Sequence, residues 1–230
     1  MNSFRDLFAK HVGTAFAHQL ALADHVENRN WNLDLSIGTV SFGDGLEYPV
    51  QLLGSEALGN NQTWMWAWAN DGIDPNPETM TLVHQLKEYG EKESLPELYE
   101  PSFSLNRATG HELAMVASGI SGNVCYYCGP YEGGAVYFVI KDLPDSFFEP
   151  APPERVIRVL SEVIATFEVN HRTMAESFLE SQNYDCNRLD SKLEASRGAT
   201  HVSILFDEQG RISNMNGTIP PRKRWWQFWK

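Results

Sequence analysis

The segment from Tyr48 to Asn70, YPVQLLGSEALGNNQTWMWAWAN, decides the fold class. Two short alternating runs, Tyr48–Ser55 and Thr63–Ala69, flank the turn signal Gly59-Asn60-Asn61, which is the pattern of an antiparallel hairpin. On the second strand, Trp64, Trp66 and Trp68 point to one face while Met65, Ala67 and Ala69 point to the other. Three indoles in a row bury much apolar area, and each carries an N–H that wants an acceptor. They read as a core stripe beneath a helix, or as one wall of a groove that holds a ligand or peptide. Asn70, with Asp71, closes the strand as a turn cap or as a polar contact for such a ligand.

Moving toward the N-terminus, Trp31–Leu35 and Thr39–Phe42 alternate in the same way, and Ser36-Ile37-Gly38 and Gly43-Asp44-Gly45 separate them. Together these runs predict an antiparallel meander of three or four strands. Before it, residues 3–27 carry Phe4, Phe8, Val12, Ala15, Phe16, Leu22 and Val26 at helical spacing. After it, NDGIDPNP breaks the chain and helices follow at 78–92 and 110–119. Val124–Tyr127 and Ala135–Ile140 form a hairpin about GPYEGG, and Pro150, Pro152 and Pro153 mark a boundary. One long helix is predicted over 154–181, then a polar stretch at 182–197 and a final hairpin from His201–Phe206 to Arg211–Ser213. Strands come in neighbouring groups instead of alternating singly with helices. The fold class is therefore α+β, an antiparallel sheet packed against an N-terminal helix and a long helix in the C-terminal half. A single α+β domain is expected over 1–215, with a possible sub-boundary near 150–153 and a basic, tryptophan-rich tail at 216–230.

The chain holds 30 Asp and Glu against 18 Lys and Arg, a formal charge of −12. Its last nine residues, RKRWWQFWK, carry four cations and no acid, which leaves −16 on residues 1–221. So acidic a body argues against general nucleic-acid binding, which needs clustered cations for phosphate. The tail reads as a contact surface: Arg222, Lys223, Arg224, Trp225, Trp226, Phe228 and Trp229 suit an anionic lipid headgroup region, the chain's own acidic body or a partner. At nine residues it is marginal as an isolated helix. No 18-residue apolar window predicts a spanning helix, and the N-terminus does not read as a secretory signal. Three cysteines fit free thiols in a reducing cytoplasm.

The chemical motifs are incomplete. Cys125 and Cys128 make a C-x-x-C on a strand, where residues three apart point to opposite faces, so they read as two separate buried or half-buried thiols. His111-Glu112 opens a zinc-protease pattern, but Met115 stands where the second histidine belongs. Both residues read as the first turn of a helix, or as polar groups beside the Trp face. His11, His18 and His25 recur at ~10.5 Å along one helix, too far apart to share a metal, and form a row between core and solvent. His171 reads as a hydrogen-bonded residue on an apolar helix face. No nucleophile elbow, P-loop or calcium loop is present, no catalytic set is nominated, and no metal or cofactor is expected.

Several segments resemble an uncharacterised bacterial family described only as a domain of unknown function. The resemblance is carried by Gln51–Glu56, the Thr63–Asn70 tryptophan strand, Leu86–Glu91, Leu95–Leu98, Gly110-His111, Ala117–Gly119 and the run Cys125–Ala135. It spans roughly residues 25–180. It implies a bacterial, cytoplasmic protein and brings no catalytic residues with it. The first functional expectation is a non-catalytic protein-interaction module for a basic protein partner, regulatory or toxin-neutralising. The alternatives are a small-molecule-binding protein or enzyme whose pocket uses Trp64, Trp66, Trp68, Asn70, His111 and Glu112, and peripheral membrane association through the tail.

Overall fold

The computed structural model describes residues 3–43, 45–59 and 62–218. The chain divides into two compact units, Met1–Glu149 and Pro150–Lys230.

The N-terminal unit opens with α1 (Phe4–Val26). Ser3 starts it with a reciprocal cap: its hydroxyl accepts from the Asp6 N–H at 3.1 Å, and the Asp6 carboxylate accepts from the Ser3 N–H at 3.0 Å. One face of α1 buries Phe4, Leu7, Phe8, Val12, Ala15, Leu22 and Val26. Strands β1 (Trp31–Asp34), β2 (Thr39–Phe42), β3 (Leu46–Ala57) and β4 (Thr63–Trp66) follow as an antiparallel meander. Helix α2 (Thr81–Glu93) and the single turn α3 (Pro96–Tyr99) lead to the short strand β5 (Ser102–Ser104), which pairs with β4. Helix α4 (Gly110–Ser121) and the hairpin of β6 (Cys125–Tyr131) and β7 (Gly134–Ile140) complete the unit.

Strand β3 is the hub of this seven-stranded sheet. Its residues 46–49 pair with β2, 50–57 with β7, and 54–57 also with β4. Gly54 sits beside the register shift in the β3–β7 ladder, and a Cβ there would run into the Met65 carbonyl and the Trp64 ring. Only glycine lets β4 close on β3 at that point.

The C-terminal unit holds α5 (Pro153–Thr166), α6 (His171–Ser181) and a four-stranded antiparallel sheet in the order β11-β10-β9-β8. Its strands are β8 (Asp185–Leu189), β9 (Lys192–Arg197), β10 (Thr200–Phe206) and β11 (Ile212–Thr218). Strand β10 shows the one-sided burial of a half-covered sheet. Val202, Ile204 and Phe206 are buried, while His201 and Leu205 are exposed. Helix α6 meets the inner face, where the Arg172 guanidinium lies 4.3 Å from the Phe206 ring centre and the Ile212 N–H donates to His171 Nδ1 at 3.1 Å.

The antiparallel α+β class is as expected from the sequence, with three corrections in detail. The helix expected over 154–181 is two helices. Phe167 leaves α5 in extended conformation, and Asn170 restarts the chain by accepting from the Thr173 N–H at 2.9 Å. The polar stretch 182–197 contains β8 and β9, whose ladder buries Leu193 and Ala195 on one face. The tryptophan strand ends at Trp66, because Ala67–Ala69 turn as 3₁₀-helix.

Candidate functional site

The nominated residues of the N-terminal unit fall into three places. Trp64 and Trp66 are fully buried, their rings edge-to-face at 5.2 Å, and Trp64 meets Tyr137 at 5.5 Å. Trp66 Nε1 donates to the Glu97 carbonyl at 3.0 Å, capping the α3 turn. Trp64 Nε1 is buried with no hydrogen-bond partner. These two rings line no groove; they are a core stripe. Trp68 leaves the stripe with the 3₁₀ turn and stands half-buried, the Lys87 ammonium 4.2 Å from its ring centre.

The second place is the first turn of α4. Thr109 and Glu112 form a capping box: Thr109 Oγ1 accepts from the Glu112 N–H at 3.3 Å, and the Glu112 carboxylate accepts from the Thr109 N–H at 2.8 Å. The same carboxylate pairs with Arg5 of α1. Glu112 is thus a buried joint between two helices. His111, on the same turn, places Nδ1 3.1 Å from the Tyr126 hydroxyl and its ring edge-to-face with Tyr137 at 5.3 Å. The Tyr137 hydroxyl donates to Glu56 Oε1 at 2.8 Å. Cys128 and Tyr137 are directly opposed on β6 and β7, so their side chains share a face.

Every shifted titratable group of this cluster is pushed toward its neutral form. Burial lowers His111, against the opposing charge of Glu56. Burial raises Cys128, with Tyr137 opposing and Glu56 adding to the rise. Burial also raises Tyr137 and Tyr126. These contacts form a polar joint between the first turn of α4 and strands β3, β6 and β7. Gly110 makes the joint possible: a Cβ there would lie 2.5 Å from two Tyr137 ring carbons and 2.8 Å from Glu56 Oε2. Gly110→Ala is expected to lift the helix end and destabilise the unit by about 2 kcal/mol. A denaturant midpoint unchanged from the parent chain would contradict this contact.

The third place is a cleft on the opposite face of the same strands, with a volume of about 220 Å³. Leu35, Leu52, Ala67, Ile73 and Val136 make it apolar, and Asn70, Ser55 and Tyr131 supply polar edges. The Gly72 N–H donates to Asn70 Oδ1 at 3.0 Å, which fixes the amide at the cleft edge. Met65, opposite Ser55 in the ladder, shares this face and is 38% exposed, and Tyr131 is 52% exposed. Of the nominated residues, Asn70 alone lines the cleft; the rest of its wall comes from β3, β6, β7 and the loops, which no local pattern joins.

The other sequence expectations are placed as follows. Cys125 and Cys128 are free thiols. The Cys125 Sγ lies 3.5 Å from the His18 carbonyl, and burial pushes this thiol up to about 12. Among the described residues, no group of three or more His, Cys, Asp or Glu is arranged to hold a metal ion. No described helix is long and apolar enough to cross a membrane. The tail residues Arg222, Lys223, Arg224, Trp225, Trp226, Phe228 and Trp229 lie outside the described residues.

No curated protein and no solved structure matches the chain. A family model does, over residues 5–143, a span that takes in the meander, α4 and the β6–β7 hairpin and stops short of α5. By that match the chain belongs to DUF6882, a family of unknown function.

Proposed function

We propose that the N-terminal unit is a protein-binding module whose cleft takes one apolar side chain from a cationic segment of a partner. The observation that carries this reading is the pairing of an apolar cleft with a strongly acidic unit. Residues 1–149 contain 20 Asp and Glu against 7 Lys and Arg, a formal −13. Two of those acids, Asp71 and Asp74, alternate with the cleft residues Asn70 and Ile73 along one loop, and Glu132 follows Tyr131. Complementary charge speeds encounter and fixes register, while an anchor side chain in an apolar pocket supplies affinity. Exposed Met65 and Tyr131 extend the apolar surface beyond the cleft itself.

Five-residue peptides with two lysines on each side of a central Gly, Leu, Phe or Trp test it by calorimetric titration of the full chain. The apolar centres are expected to bind at least ~10-fold tighter than glycine, a difference of about 1.4 kcal/mol. Ser55→Phe, which fills the cleft from its floor, is expected to remove that gain and leave the salt-dependent part. Equal affinity for all four peptides, or a gain that survives Ser55→Phe, would overturn the reading.

A further inference from the structure

We propose that the chain's own final segment, residues 219–230, lies across the open face of the four-stranded sheet in the C-terminal unit. The inference stands apart from the N-terminal cleft and rests on this sheet alone.

The ladders place the outward side chains in rows. Thr218, His201, Ser196 and Asp185 oppose one another across all four strands. The next outward row is Asn216, Ser203, Glu194 and Asn187, and the third is Asn214, Leu205, Lys192 and Leu189. The first two rows line a hollow of about 530 Å³. That is in the range of clefts that hold ligands, ~300–1,000 Å³. The third row carries two outward leucines, Leu189 at 46% and Leu205 at 40% exposure. They are the two large apolar side chains this unit leaves exposed among its described residues.

The chain leaves the sheet from a corner of this face, since Thr218 is both the end of β11 and the first member of the first row. The remaining twelve residues read IPPRKRWWQFWK. Residues 150–218 hold 10 Asp and Glu against 7 Lys and Arg, a formal −3, and the last twelve residues carry +4. Asp185 and Glu194 are the acids of the hollow, and Lys192, paired with Glu194 at 2.5 Å, is the cation on this face.

The distances agree. Four strands span three gaps, ~14 Å in all. Arg222 to Arg224 lie four to six residues beyond Thr218, a reach of up to ~13–20 Å. The cations can therefore arrive at Asp185 and Glu194. The aromatic residues beyond them, Trp225 to Trp229, then come within range of Leu205 and Leu189, four residues or ~14 Å along the strands from the first row. Acid and apolar targets occur on this one face in the order in which the tail presents cations and then indoles.

The experiment places a reporter thiol in the hollow with Ser203→Cys, in the full chain and in a chain ending at Thr218. Alkylation at position 203 is read by mass spectrometry of that peptide. The full chain is expected to react at least ~5-fold more slowly. Arg222→Glu, Lys223→Glu and Arg224→Glu together are expected to restore the fast rate. Removing cations by itself makes a thiolate less favourable and slows the reaction, so acceleration reports uncovering. Equal rates in the two chains overturn the proposal. Protection that grows with protein concentration overturns it in favour of a second copy's tail. Equal rates with tail-dependent flotation on phosphatidylserine vesicles overturn it in favour of a lipid surface.

Discussion

Trp66→Ala is expected to destabilise the N-terminal unit by about 4 kcal/mol, and the two buried indoles are expected to differ sharply when each is replaced by phenylalanine. Both rings are fully buried and touch each other. Only Trp66 has a use for its nitrogen, which donates to the Glu97 carbonyl in the α3 turn. Trp66→Phe therefore loses ring area and leaves that carbonyl without its donor, a cost of about 2 kcal/mol or more. In Trp64→Phe the lost area is offset by removing a buried N–H that has no partner, so the cost is expected to stay below about 1 kcal/mol. Denaturant midpoints of the three variants, followed by tryptophan fluorescence, give the order directly. A Trp64→Phe loss equal to that of Trp66→Phe would show that the Trp64 nitrogen is satisfied after all.

The same strand shows how far a local pattern reaches. Alternation locates Trp64 and Trp66 on one face because side-chain direction in a strand is fixed by the backbone. It fails at Trp68, because nothing in the alternation itself marks where a strand gives way to a 3₁₀ turn, and Ala67–Ala69 fit either. The apolar spacing through Phe167, His171 and Met174 likewise continues a helix that the backbone interrupts at 167–170; the restart signal is Asn170, three residues before Thr173. β8 and β9 escape notice because their buried apolar residues are few, Leu193 and Ala195 among polar neighbours.

The polar joint is half legible. His111 and Glu112 stand out in the sequence, and Thr109 is a visible cap. Their partners Glu56, Tyr126, Cys128 and Tyr137 lie 15 to 55 residues away in sequence from His111 and come together only when β3, β6 and β7 pair. The cleft is less legible still, since its walls belong to separate elements. Charge shows the reverse: the single sum of −12 hides −13 on residues 1–149, −3 on residues 150–218 and +4 on the last twelve residues. The family match falls inside that acidic unit.

Lowering the pH from 7 to 5 is expected to weaken the N-terminal unit by roughly 2–4 kcal/mol through His11 and His18 of α1. Burial holds both imidazoles near 4 instead of the usual 6.5. His18 is 9% exposed, with its ring edge-to-face on Phe148 at 5.0 Å and its Nδ1 unpartnered. Lys10 adds its charge to the burial of His11, whose ring presses on Gly119 of α4. The folded unit keeps both rings neutral, while the unfolded chain takes up protons as pH falls below about 6.5. Stability from this source is therefore full above 6.5 and is lost progressively down to about 4, where the folded rings themselves protonate. His25, the third of the row, hydrogen-bonds the Tyr48 hydroxyl at 2.8 Å. His18→Leu removes one titrating ring and is expected to cut the pH dependence of the denaturant midpoint by roughly a third to a half, the remainder resting on His11 and on His111, which burial also lowers. An unchanged slope between pH 7 and 5 in that variant would assign the acid sensitivity to other groups. The row read from sequence as a boundary between core and solvent would then owe nothing to the depth at which α1 packs on α4.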